Sequence, residues 1–263
     1  MINLTSRTAK KRYHALLIQQ NKLFEAHMTN KLSPLIKVQY NNAASQIEKN
    51  KSSNFKLVNS EKIKNLLKQE YKKIGAWYLE QAQQAIDNNL KLFILYEFKQ
   101  DIDVDNFWTF YTRWIALQAA ENIKAIDKTT KKIIKGILKK SLDDGLSYEE
   151  AAKIIRDRSE ISSKMRSRRI ARTELHTASM EASQLSMENA PIEIKIKEWS
   201  TAGDHRVRTV NKYNPWDHTL ADAEKVLLDK PYVRTGEKLM YPGDPNGSPG
   251  NIINCRCVSL YET

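Results

Sequence analysis

Proline and glycine punctuate this chain unevenly. Before residue 190 there is a single proline, Pro34; after it come Pro191, Pro215, Pro231, Pro242, Pro245 and Pro249. Five of the eight glycines also lie beyond residue 200. Proline removes a backbone donor and fixes φ, and glycine opens turn conformations. A long stretch poor in both can therefore run as helix, whereas a stretch dense in both breaks into turns. The spacing predicts an α+β chain: a mainly α-helical N-terminal region followed by a small C-terminal α+β module with long loops. Three parts follow, a helical region over 1–100, a second helical part over 101–190, and a strand-and-loop module over 191–263.

The helical part carries periodic apolar stripes. In 61–87, Ile63, Leu66, Leu67, Ile74, Trp77, Tyr78, Ala82 and Ala85 recur at helical spacing, and in 106–126 Phe107, Phe110, Tyr111, Trp114 and Leu117 do the same. Such aromatic stripes are core, because each ring buries a large area. A third segment, 128–142, carries Ile133, Ile134, Ile137 and Leu138. The stretch "DDGLSYEEAAKIIRDR" supplies a stop and a start: Gly145 suits a helix C-terminus, and Ser147 with Glu150 forms a capping box. Residues 164–188 read as a further helix, and the polar stretch 47–62 reads as a loop. Beyond 190, "IEIKIKEWS" (192–200) alternates as a half-buried strand does, and "NIINCRCVSLY" (251–261) reads as a second strand.

Lys and Arg number 43 against 31 Asp and Glu, a formal net charge of +12. That excess points to a polyanionic partner, nucleic acid first and an acidic protein or membrane surface next, against the plainer reading of a solvated lysine-rich surface. Lys164, Arg166, Arg168 and Arg169 cluster on one helical stretch and are the candidate phosphate contacts. Arg172 and Glu174 follow, as a candidate polar pair. The densest apolar run, "LKLFILYEF" (90–98), is too short to span a bilayer, and the N-terminus lacks the pattern of a signal peptide.

The only two cysteines, Cys255 and Cys257, are separated by one arginine. Two thiols at i and i+2 make neither a disulfide framework nor an unstrained bridge, which points to reduced thiols. Placed in a strand, they would share one face. Together with His218 or His205 they form a candidate zinc site, although zinc pairs are more familiar as C-x(2–4)-C. The other readings are a thiol nucleophile with His218 as base, a Mg²⁺-dependent nuclease using Asp204, a histidine and Asn254, and a loop-tying network of charge-assisted hydrogen bonds.

The order of these pieces resembles the phage Mu F-type head morphogenesis family of tailed phages and prophages, from about residue 100 to 260. "LDDGLSYEEAAKIIRDR" is similar to the family's capped helix. "RRIARTELHTAS" is similar to its Ala-Arg-Thr-Glu helix (Arg172, Thr173, Glu174), and "KEWSTAGDHRVR" to its Trp-x(4)-Asp-x-Arg-x-Arg element (Trp199, Asp204, Arg206, Arg208). His218 in "WDHTL" stands for the following histidine. "YPGDPNGSPGNIINCRC" is similar to the closing signature, here Pro242, Gly243, Asp244, Asn254, Cys255, Arg256 and Cys257. Two departures stand out: nine residues, "TVNKYNPWD", separate Arg208 from His218, and the Leu-Asp-Gly that tends to follow the histidine is missing.

The resemblance implies a minor head (minor capsid) protein acting in head morphogenesis rather than an enzyme. Its implied partners are the portal protein, the major capsid or scaffolding protein and double-stranded DNA, with no membrane. Its implied place is the virion head interior or portal vertex, reached from the host cytoplasm. The rival functions are a metal-dependent nuclease and a DNA-binding module without an assembly role.

Overall fold

The computed structural model describes residues 7–93, 101–191 and 196–262. In chain order the elements are α1 (Arg7–Asn50), α2 (Ser60–Phe93), α3 (Val104–Asp143), α4 (Tyr148–Glu188), β1 (Ile196–Ser200), β2 (Lys225–Leu227), α5 (Pro249–Ile252) and β3 (Val258–Glu262). The fold is α+β, with long helices first and a small sheet last. The segments read separately as 106–126 and 128–142 are one helix, α3. Nothing near Asp127 breaks the backbone ladder, and its carboxylate accepts bonds from Gln39 (3.0 Å) and Ser60 (2.6 Å). The segment 164–188 is likewise the second half of α4. The loop read over 47–62 is shorter: α1 continues to Asn50, and Lys51 and Asn59, both with positive φ, bracket the break. The run 90–98 lies outside the described side chains.

The chain forms two compact units, one from 1–24, 71–113 and 172–263, the other from 25–70 and 114–171. In the second unit, Met28, Leu32, Ile36, Tyr40, Ala43 and Ile47 recur every three or four residues and are fully buried. They form a helical core with Ile63, Leu67, Ile126, Ile134, Leu138 and Ile155. The turn between α3 and α4 is built as the sequence predicts. Gly145 takes φ +81°, the Ser147 N–H donates to Glu150 (2.8 Å), and the Glu150 N–H donates to Ser147 Oγ (3.2 Å).

In the first unit Tyr111 fixes the approach of three helices. Its hydroxyl lies 3.0 Å from the Tyr71 carbonyl and 3.2 Å from that of Ala178. Gly75 makes room for its ring, since a Cβ there would collide with Tyr111 Cε1. The strands form an antiparallel sheet in the order β2-β1-β3, with Lys197 opposite both Val226 and Tyr261. Trp199 of β1 is fully buried and packs with Ala221, Tyr232, Leu239, Cys255 and Cys257. Of the strand read over 192–200, residues 196–200 form β1, and the rest lie outside the described residues. The strand read over 251–261 starts only at Val258: α5 occupies its beginning, and Asn254 at φ 59° turns the chain. The cysteines therefore precede the strand instead of lying in it.

Candidate functional site

Three side chains converge where the long loops of the C-terminal module close on Trp199. His218, Cys255 and Cys257 are all buried, and their potential ligand atoms lie within 4.8 Å of one another. His218 Nδ1 is 3.4 Å from Cys257 Sγ and 3.8 Å from Cys255 Sγ. The local backbone explains the convergence. The Asp217 carboxylate accepts the Thr219 and Leu220 N–H groups and so folds the turn that carries His218. The His218 N–H donates to the Arg208 carbonyl at 2.9 Å. Asn254 in the left-handed region then brings Cys255 back inward, its N–H donating to Thr173 Oγ1 of α4 at 3.3 Å.

The tautomer of His218 follows from its neighbours. Asn251 Nδ2 donates to Glu237 (2.9 Å), which leaves Oδ1 facing His218 Nε2 at 2.6 Å. Nε2 must therefore carry the proton, and the Nδ1 lone pair points at the sulfurs. Arg208 also reaches this nitrogen, but its donors go to the carbonyls of Asn251 and Ile253. The Trp199 ring packs edge-on against His218, 5.3 Å between centroids. The Cys255 thiol is held well below its usual range, first by the S–H of Cys257 and then by His176 and His218, against the opposing effect of burial. Burial, reinforced by that neighbour, pushes the Cys257 thiol up. A small cleft of about 20 Å³, lined by Arg206, Arg208, His218, Asn254 and both cysteines among others, opens onto the cluster.

Around it runs a belt of ion pairs and backbone clamps. Arg256 grips Asp204 with two parallel bonds of 2.7 and 2.6 Å, and Arg206 adds a third at 3.2 Å. Bonding by Arg256 holds the Asp204 carboxyl far below the usual carboxylate range. Buried Asp244 accepts the Met240 and Asn246 N–H groups at 2.8 and 2.9 Å. Pro242 and Gly243 are buried beside it, and the Gly243 carbonyl accepts from Thr177 of α4 at 2.8 Å. Lys197 reaches into this corner to the Met240 carbonyl at 2.7 Å.

The structure thus brings Trp199, Asp204, Arg206, Arg208, His218, Asn254, Cys255, Arg256 and Cys257 into one neighbourhood. His205 is exposed and stands outside the cysteine cluster, so among the described residues His218 is the loop histidine that joins it. Glu174 accepts the Tyr71 hydroxyl at 2.8 Å. Of the basic residues on α4, Lys164 and Arg169 are exposed, Arg168 pairs with Glu25 at 3.1 Å, and Arg166 turns inward to Thr130 at 2.7 Å.

Four contributors escaped the sequence reading. Asn251 and Glu237 set the His218 tautomer, yet they look like ordinary turn residues in the chain. His14, far off in α1, sits between Ser200 Oγ (3.1 Å) and the Arg256 carbonyl (3.2 Å). His176 is buried on α4, and its Nε2 has no hydrogen-bond partner. A histidine four residues after Arg172, on the small-residue face of "ELHTASMEA", was the available signal.

Long helices joined to a small sheet whose loops close on a buried Cys/His cluster define the class. Residues 131–260, just under half of the chain, match the model of the family described as "Phage Mu protein F like protein". The matched span runs from within α3 to β3 and holds the whole belt. A relative in Bacillus subtilis (strain 168), described as "Uncharacterized protein YqbB", is 26% identical over 148 residues, 55% of this chain and 46% of its own length. The chain therefore aligns with less than half of that relative. No solved structure matches. Among the described residues no helix is long and apolar enough to cross a membrane.

Proposed function

We propose that this chain is a minor head protein of a tailed phage or prophage, a structural part of head morphogenesis that joins the portal vertex. The observation that carries this reading is the coincidence of the family match with the belt. The residues that resemble the family's signature are engaged with one another: Arg256 on Asp204, Arg208 on two carbonyls, and Asp244 on backbone N–H groups. That is the chemistry of a rigid docking module, since few of these groups are left to act on a substrate. The charge of +12 favours a partner with negative surface, the packaged DNA or an acidic face of the portal.

The nuclease alternative fits this site less well. Mg²⁺ takes hard oxygen ligands, whereas the cluster offers two sulfurs and an imidazole, and the Asp204 carboxylate is already saturated by arginine. The test is co-expression with a portal protein of the same phage or prophage, followed by size-exclusion chromatography with mass determination. A stable portal complex supports the reading. A chain that elutes alone, and that nicks plasmid in Mg²⁺ with loss of nicking in Asp204→Ala, overturns it.

A further inference from the structure

We propose that Cys255, Cys257, His218 and His176 bind one zinc ion in a closed tetrahedral site that ties α4 to the end of the chain. Three of the four ligands already have the required spacing. Zinc–sulfur and zinc–nitrogen bonds of about 2.3 and 2.05 Å at tetrahedral angles separate sulfur from nitrogen by about 3.6 Å. The two observed separations, 3.4 and 3.8 Å, bracket that value. The lone pair of His218 faces the sulfurs, and its opposite N–H is held by Asn251, which is the outer-shell arrangement that orients a metal-binding imidazole.

His176 supplies the fourth donor. It is 95% buried (5% exposed), and its Nε2 has no hydrogen-bond partner. A buried ring nitrogen left without a partner is rare in a folded protein and asks for an explanation. The ring is wedged against Gly243: a Cβ there would lie 2.8 Å from its Cδ2 and 3.3 Å from its Nε2. Its nitrogen stands outside the 4.8 Å set formed by the other three ligands, so closing the site requires the ring to turn towards them.

Two thiolates and two imidazoles suit zinc, and four protein ligands make the site structural, with no open position for a reacting water. The cleft lined by Arg206, Arg208 and Asn254 gives the ion its way in. The buried indole N–H of Trp199 also lacks a hydrogen-bond partner. Binding releases the thiol protons and changes no oxidation state. The proposal does not depend on the head-assembly reading, because a chain that failed to join a portal could still hold zinc.

The experiment is zinc analysis of the purified full chain by elemental mass spectrometry, with X-ray absorption at the zinc edge. One zinc per chain with two sulfur and two nitrogen neighbours is expected. In His176→Cys the sulfur count rises to three with zinc retained, a gain that a merely packed histidine would not produce. Metal-free protein that takes up no zinc from a micromolar solution overturns the site. A sulfur count that stays at two in His176→Cys overturns the fourth ligand. Should that variant fail to fold, the wild-type spectrum decides: two nitrogens support the assignment, and one nitrogen plus an oxygen refutes it.

Discussion

Replacing Gly243 by alanine separates two costs that the structure assigns to one position. Gly243 has φ +81°, where an L-residue loses roughly 1 kcal/mol against its preferred conformations. Its new Cβ would also fall 2.8 Å from Cδ2 of His176, inside any ordinary contact. The clash adds an overpacking cost of about 1–3 kcal/mol. Gly243→Ala should therefore lose about 2–4 kcal/mol in total. Gly203, in the same compact unit, is the matched control. It has φ +65° with nothing within 4 Å of the added Cβ, so Gly203→Ala should lose only about 1 kcal/mol. Urea unfolding followed by tryptophan fluorescence reads both variants, because Trp199 is buried in this unit. Midpoint shifts at unchanged slope give the two losses. Equal losses would refute the packing of His176 against Gly243 and with it the anchoring of α4 to the closing loop.

Other outcomes follow from the belt and the charges. Asp204→Asn removes a bidentate pair with a carboxylate about a third exposed and should cost about 1 kcal/mol near neutral pH, read by the same unfolding assay. Because Arg256 depresses the Asp204 carboxyl, its stabilisation is complete above the ordinary aspartate range and is lost as pH falls through the folded value; the variant should lack this acid sensitivity. Burial lowers the Lys197 amine from 10.5 to about 8, so the unfolded chain holds more protons between those values. That term makes stability rise over the window, and Lys197→Met should remove the rise in unfolding measured from pH 7.5 to 10. Reversing the exposed charges at Lys164 and Arg169 should weaken DNA binding and flatten its salt dependence by up to about one unit for each phosphate no longer neutralised, while portal binding survives. Joint loss of both activities would show that one surface serves both partners.

Much of the fold was legible because the helices are simple. Their apolar residues repeat at helical spacing, and one capping box and one glycine mark the turn before α4. The errors were of continuity, since α3 and α4 each run through polar stretches that a short window reads as ends. The closing segment misled for a different reason. Alternation in "NCRCVSL" looks like a strand, but Asn254, a residue type that tolerates the left-handed backbone, turns the chain there and is held by the contacts of Arg208 with Ile253 and of Thr173 with its own N–H. The choice of His218 over His205 also depended on long-range contacts: one ring is buried against Trp199 and the other is in solvent. His176 was invisible as a site residue because its partners lie about seventy or eighty residues further along the chain, and one helical histidine carries no spacing pattern.

The most direct test of the central claim is a protein inventory of purified heads. Procapsids and mature particles of the phage or prophage that encodes this chain would be separated on a gradient and quantified by mass spectrometry against the portal protein. The chain is expected in both particles, at a fixed small ratio to the portal, and should be lost from particles assembled without the portal. A chain found only in the free fraction of the lysate, with heads of normal composition and infectivity formed without it, would contradict the account.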